Sequence, residues 1–438
     1  MKKYSIDSRT INPGEIFVAI KGERFNGHDF VNNAIKNGAS EAVVSQKLPN
    51  KRDLSDQKIT MVEDTTNYLG LLARNRVQKI SPKIIAITGS VGKTSTKTAL
   101  STVLSFDFNV FTPKKNFNTL IGISLAILNE MSNDTEVLIL EMGTYGVGTI
   151  KNLCEYFPPS IAVVTNVEPV HLERMGTIEV IAKAKSELIS SLSQSGVAFL
   201  NFDNHHTRAM KKNNKGKTYY FGHSEKSDIT PNMVSYINKM KILGSYRDYL
   251  GMIAYGIGML LGMKEETIKR GILSIIPAKG RLNILRGKND SILIDDTYNA
   301  SLSSTEEAIQ VLDKFDLQHK VSFLGDMLEL GTVEESAHKN IVEKTLAVCE
   351  IAFFIGPRYE KASRGYDYSN KKIFVFDTSD DVISYFDSNG IEFPLSANTV
   401  ILFKGSQGMR VEKILKYFLH KSVNSKSQLV RQEIPWNK

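Results

Sequence analysis

The 438-residue chain has only two cysteines, Cys154 and Cys349, far apart and outside any metal-ligand spacing. That excludes a disulfide framework and a thiolate metal centre, fits a reducing compartment, and leaves both thiols as packing residues. Long hydrophobic runs are also missing. The longest, Ile253 to Met263, is broken by glycines and too short to cross a bilayer. The opening MKKYSIDSRT sets two lysines ahead of no apolar stretch, so no membrane insertion and a cytoplasmic location are expected. There is no internal repeat and no low-complexity tract. A basic stripe with interleaved aromatics is absent too, although the net charge is +8. The lysines are scattered, and the densest cluster, Lys211 to Lys217, reads as a solvated loop. Anionic small-molecule substrates explain the charge, and no nucleic-acid partner is expected.

What the chain does have is the stretch IIAITGSVGKTST, Ile84 to Thr96, where a β-branched run breaks into glycines before Lys93 and Thr94. Strand, phosphate loop and helix start follow in the order of a nucleoside-triphosphate site. Gly89 and Gly92 free the backbone so that the N–H groups of Ser90 to Ser95 can surround phosphate, Lys93 reaches the β/γ-phosphates, and the Thr94 hydroxyl ligates Mg²⁺. ATP or GTP is the expected ligand. Only Ser90 and Val91 separate Gly89 from Gly92, where the strict pattern has four residues between its glycines. That departure points away from generic kinases and GTPases.

A chain of this length predicts more than one core. Residues 1–80 mix short apolar runs with glycine turns and predict a small α/β N-terminal domain. Residues 81–284 alternate strand-like runs (Ile84 to Thr88, Val137 to Leu140, Ile161 to Thr165, Val197 to Leu200) with helical ones, which predicts a central parallel sheet covered by helices. In residues 285–438 the alternation restarts and predicts a separate Rossmann-like, doubly wound domain. The tail after His420 is polar and is expected to be loosely held.

The chemistry-bearing residues sit just past the carboxyl ends of these strands. Glu141 ends the run VLIL and can reach a metal held by the phosphate loop, or it is a surface glutamate at a strand end. His171 follows the strand IAVVT and the segment NVEPV, and is either a metal ligand or a hydrogen-bonded structural histidine. Lys185, in AKAKSE, reads from its own context as a solvated helix lysine.

From residue 5 to beyond 410 the landmarks resemble, in order, those of the Mur ligases, ATP-dependent amino-acid ligases of peptidoglycan precursor synthesis. They are DSRTINPGEIFVAIKGERFNGHDF, ITGSVGKTST, NFNTLIG, LEMGTYGVG, TNVEPVHLERMGTIEVIAKAKSE, GRLN, DDTYNAS, GDMLELG and FKGSQGMR. The greatest similarity is to the branch that joins D-alanyl-D-alanine to UDP-N-acetylmuramoyl tripeptide. The resemblance implies that Ser8, Arg9, Asn26, Gly27 and His28 grip the uridine nucleotide and that Asn116 and Asn118 lie in the muramoyl-substrate loop. It further implies that Glu141 and His171 hold a second Mg²⁺ and that Lys185 is carbamylated, its negative charge helping to organise the metals. Arg281 would contact ATP phosphate and Asp296 the ribose, with Tyr298 and Asn299 in the same loop, and Lys404 and Ser406 would be substrate or closure contacts.

The implied chemistry is acyl-phosphate ligation by a monomer: a peptide carboxylate attacks the γ-phosphate, and an amine then attacks the acyl phosphate. Two departures from the family pattern stand out. A G-x-H-N-x-x-N helix start is replaced by Gly244 to Leu250, GSYRDYL, which leaves the Tyr246 ring as a stacking candidate for adenine. DDTYNAS-L replaces the more usual N-A-N-P ending, which keeps open a Mur-like ligase with another amine. A non-catalytic nucleotide-binding module is the other alternative.

Overall fold

The structure is a computed structural model that describes residues 2–23, 25–48, 59–114, 117–170, 172–366 and 372–432. The chain divides into two compact units, Met1–Gly89 with Leu104–Thr165 and Ala182–Tyr220, and Ser90–Val103 with Asn166–Ile181 and Phe221–Lys438.

The first unit holds two sheets. Strands β1 (Tyr4–Ser5), β2 (Ile16–Val18), β3 (Glu41–Val44) and β4 (Ile59–Met61) pair in that order, all parallel. Their core is small, with Phe17, Ala42 and Val44 packed against Val31 and Ala34 of the helix Val31–Lys36. The helix Thr65–Ile80 starts where the Asp64 side chain accepts the Asn67 N–H at 2.7 Å, and ends at Ser81 in left-handed backbone. The chain then enters β5 (Lys83–Thr88), followed by β6 (Val110–Phe111), β7 (Val137–Glu141), β8 (Ile161–Val164), β9 (Val197–Asn201) and β10 (Lys217–Phe221).

The order in this second sheet is β10-β9-β8-β5-β7-β6, with β5 parallel to both its neighbours. Every residue of β7 and β8 is buried. Burial on both faces is why these strands read as continuous apolar runs and not as alternating ones. Chain order changes direction beside β5, and ligands of open α/β sheets gather past the strand carboxyl ends at such a switch point.

The second unit contains β11 (Asn283–Arg286), β12 (Ile292–Asp296), β13 (His319–Gly325), β14 (Ile351–Ile355), β15 (Lys372–Phe376) and β16 (Thr399–Lys404), ordered β11-β12-β16-β13-β14-β15. Only β11 pairs antiparallel among the registers β11–β12, β12–β16, β13–β16, β13–β14 and β14–β15. One face packs Leu324, Phe354 and Leu402 against Leu312 and Ile341 of the helices Leu302–Asp313 and Glu334–Val348. The other face is aromatic, with Phe323 stacked between Phe353 at 4.3 Å and Phe403 at 5.0 Å. Neighbours such as Phe353 and Phe354 therefore face opposite cores, as a period of two requires.

The α/β class holds with three sheets, the third of which begins at Asn283 within the stretch read as central. The tail departs from expectation. Leu429 and Arg431 are buried, because Leu429 joins the aromatic core and the Arg431 guanidinium finds a full set of acceptors. Among the described residues no helix is long and apolar enough to cross a membrane.

Candidate active site

β5 stops at Thr88 and the helix Lys93–Leu104 begins after four intervening residues. Gly89 (φ 151°) and Gly92 (φ 85°) both occupy backbone that other residues adopt only under strain. The loop between them is braced from the segment after β8. Asn166 accepts the Ser90 N–H at its carbonyl (3.0 Å) and the Val91 N–H at its side-chain oxygen (2.9 Å). The Ser90 hydroxyl donates to the Glu168 carbonyl at 3.0 Å and accepts the Glu168 N–H at 2.9 Å. Lys93, half-buried, donates to the Ser90 carbonyl at 3.2 Å. Thr94 and Ser95 lie in the first turn, where helix N–H groups and dipole favour an anion.

The bracing extends further. The Asn166 amide donates to the Glu168 carboxylate at 3.0 Å, and the Ser303 hydroxyl donates to the other oxygen of the same carboxylate. Burial pushes the Glu168 carboxyl above its ordinary range, and the Ser303 bond opposes that shift. Sequence reading noted Asn166 and Glu168 only as polar neighbours of His171. The signal available was their position directly after a buried parallel strand.

In the first unit Glu141 is the last residue of β7, level with Ile87 of β5, and only 3% exposed. A buried carboxylate at a strand end is not a surface glutamate, so that alternative falls. Asn118 reaches it at 3.5 Å, and Gly143 allows the approach, since a Cβ there would lie 2.9 Å from the Asn118 side chain. Lys185 is also 3% exposed, on the helix Ile178–Ser190, which corrects its reading as a solvated lysine. Lysines are rarely so buried. Carbamylation would replace an ammonium that is expensive to bury with a hard oxygen ligand. His171 and Asn116 lie outside the described residues.

Among the described residues no group of three His, Cys, Asp or Glu side chains converges. The expected Mg²⁺ donors are of another kind. The Thr94 hydroxyl, the Glu141 carboxylate and a Lys185 carbamate are all hard oxygens, and their chemistry fits Mg²⁺.

In the second unit the residues of GRLN and DDTYN meet. Asp295 is fully buried and accepts the Thr297 N–H and hydroxyl (3.2 and 2.6 Å) and the Gly280 N–H (3.2 Å), while burial pushes its carboxyl up to about 6. Asp296, expected at the ribose, instead pairs with Lys404 at 2.5 Å and accepts the Leu282 N–H at 3.2 Å. Lys404 is 1% exposed and also donates to the Asn299 carbonyl at 3.0 Å, so the two expected contacts form one buried ion pair. The Ser406 hydroxyl accepts the Leu328 N–H at 2.8 Å and fixes the GDMLELG loop, and the Asn299 side chain accepts the Gln407 N–H at 3.3 Å.

Arg281 behaves differently. Its guanidinium lies over the Tyr298 ring at 4.2 Å, and its buried Nε has no acceptor among the described residues. An orphaned charged donor is what an incoming phosphate would satisfy. Tyr246, the stacking candidate, is half-buried, packs its ring against the third-sheet core and donates its hydroxyl to the Arg281 carbonyl at 3.4 Å.

The N-terminal residues also part company. Arg9 is exposed and paired with Asp7 at 2.7 Å, open to a ligand at the cost of a surface ion pair, while Ser8 is buried. His28 is 3% exposed and uses both ring nitrogens: Nε2 accepts the Ser45 N–H at 2.9 Å and Nδ1 donates to Asn26 at 2.7 Å. A Cβ on Gly27 would meet the Ile20 backbone N at 2.6 Å. Asn26, Gly27 and His28 thus build the turn Gly27–Phe30.

A glycine-shaped loop between a buried parallel strand and a Lys-Thr helix start, with an arginine ahead of β11 whose buried Nε lacks an acceptor among the described residues, defines a nucleoside-triphosphate-dependent enzyme. Family descriptions match along the chain: Mur ligase family, catalytic domain over residues 2–76, Mur ligase middle domain over 87–246, and Mur ligase, glutamate ligase domain over 280–407. The UDP-N-acetylmuramoyl-tripeptide--D-alanyl-D-alanine ligase of Rickettsia prowazekii is 31% identical over 95% of this chain and 95% of its own. The protein of the same name from Bacillus subtilis is 30% identical over 94% of this chain and 91% of its own. The solved MurF ligase from Thermotoga maritima in complex with ADP superposes with a TM-score of 0.79 at 28% identity, covering 95% of this chain and 97% of that one. The chain belongs to the Mur ligase family.

Proposed function

We propose that this Mur ligase uses ATP and Mg²⁺ to join D-alanyl-D-alanine to UDP-N-acetylmuramoyl tripeptide, acting as a monomer in the cytoplasm during peptidoglycan precursor synthesis. The observation that carries the reading is the end-to-end match, over 95% of both chains, to a relative of that name.

The tripeptide carboxylate attacks the γ-phosphorus of ATP and ADP leaves. The amine of the dipeptide then attacks the acyl carbon, an amide C–N bond forms, and inorganic phosphate departs with the acyl oxygen. Both steps crowd anions, and transition-state charge on the transferred phosphoryl group is the main electrostatic problem. Lys93 and the helix N–H groups at Thr94 and Ser95 would answer it together with Arg281, which lies over the Tyr298 ring. Mg²⁺ on Thr94, Glu141, His171 and carbamylated Lys185 would supply further charge neutralisation. Ser8 and Arg9 remain the candidate uridine contacts, with Asn26 and Gly27 shaping the turn beside them. Asn116 and Asn118 serve the muramoyl peptide.

The test is phosphate release from ATP with UDP-N-acetylmuramoyl tripeptide, with and without D-alanyl-D-alanine, with the product weighed by mass spectrometry. Release that needs both substrates and a product heavier by the dipeptide is the expected outcome. Release with another amine only would reassign the acceptor, in line with Ser301 and Leu302 of the DDTYNAS-L loop. ATP binding with no release on any amine would leave a nucleotide-binding module.

A further inference from the structure

The end of the chain enters the Arg281 site from behind. Arg431 is 8% exposed, and its Nη1 donates to the Tyr298 carbonyl at 3.0 Å while Nη2 donates to the neighbouring Thr297 carbonyl. Nε and Nη2 also meet the Glu412 carboxylate at 3.0 and 2.7 Å, and that fully buried carboxylate is held from its other side by Arg410 Nε at 2.6 Å. Three segments converge here: a Cβ on Gly280 would lie 2.8 Å from the Tyr298 N and 3.1 Å from the Val430 side chain. The Tyr298 N–H in turn donates to the Gly280 carbonyl at 3.1 Å, one residue before Arg281.

We propose that Arg431 is a positioning residue that fixes Tyr298, and through its ring the Arg281 guanidinium, in the orientation that meets a nucleotide phosphate. The inference rests on the phosphate role given to Arg281 above. Two consecutive carbonyls, of buried Thr297 and half-buried Tyr298, need donors that diverge from one plane, which a guanidinium fork supplies and a lysine ammonium does not. Without the fork the 297–298 peptide rotates to find other partners, and the ring under Arg281 moves with it. Lysine at 431 keeps the charge that balances Glu412 and loses the fork, which separates orientation from charge.

The experiment compares full-length wild type, Arg431→Lys and Arg431→Ala, each alone and combined with Arg281→Ala. The dissociation constant for ATP comes from calorimetry, and KM for ATP and for the UDP substrate from turnover. Arg431→Lys is expected to weaken ATP about 10-fold, to leave KM for the UDP substrate within about twofold, and to add nothing once Arg281 is alanine, because residues acting through one another are non-additive. Equal losses with and without Arg281, or a lower melting temperature with unchanged ATP binding, would overturn the proposal and leave a structural tail. If Arg431→Ala fails to fold, the Lys variant still decides. Unchanged ATP binding in Arg281→Ala would overturn the phosphate role and this inference together. Loss of dipeptide transfer by wild type would touch only the acceptor assignment, since ATP calorimetry needs no acceptor.

Discussion

Lys93 and Lys404 both stand beside strand ends that sequence reading marked out, and the fold buries them to different degrees. Lys93 follows β5 in a half-buried loop braced by Asn166 and Glu168, and leans on a main-chain carbonyl. Lys404 ends β16 fully buried and locked onto Asp296 at 2.5 Å. The first site braces its loop and leaves Lys93 half-buried at a helix start. The second uses its charge internally, joining the loops after β12 and β16 into one piece. A lysine past a strand end is therefore not one kind of object, and its burial and partner decide which kind it is.

The sharpest test of that contrast is Lys93→Ala. It should lower turnover by about 1,000-fold or more through loss of phosphoryl-charge stabilisation while leaving thermal unfolding nearly unchanged. Near-normal activity would break the assignment. Lys404→Met should do the reverse first. Leaving the Asp296 carboxylate buried and unpaired costs about 3–5 kcal/mol of stability, readable in chemical denaturation. Adding Asp296→Asn should restore part of that loss, and an additive double variant would mean that the two groups are not one pair. His28→Ala extends the comparison to the N-terminal sheet. It should cost about 1–3 kcal/mol by orphaning the Ser45 N–H, with no separate change in affinity for the UDP substrate in the fraction that remains folded.

The smallest effect is acidic. Burial holds the His28 pKa below its ordinary value, so the folded state keeps it neutral while the unfolded chain takes up a proton near pH 6.5. The stability it contributes is present above that pH and is lost as pH falls through it toward the lower folded value. Hydrogen-exchange protection of the Ser45 amide, corrected for intrinsic rate, should decline from pH 7 to 5, and a flat profile would mean that the imidazole titrates freely.

The phosphate loop was legible because its signals are local: a β-branched run, two glycines, then Lys-Thr. The three sheets were legible for the same reason, since alternation of apolar runs needs no long-range information. Lys185 was not. Its sequence context is that of a solvated helix, and only the packing around it makes it buried. The structural bonds of His28 were not legible either, because the Ser45 N–H that its Nε2 accepts lies 17 residues away in sequence. Arg431 was hidden by distance, since its acceptors lie 133 and 134 residues earlier in a loop that nothing in the polar tail announces.

The place of β16 has a consequence for how the molecule is made. Among the described residues it is the last strand in chain order, yet it lies in the middle of its sheet between β12 and β13. As the polypeptide leaves the ribosome, β12 and β13 have no hydrogen-bonding partner between them until Thr399–Lys404 emerges. A message cut short before that point yields a product whose third sheet has an open centre and two exposed apolar faces, a species for chaperones and proteases to remove and not a weak enzyme. Synthesis past Lys404 is thus a condition for closing the third sheet.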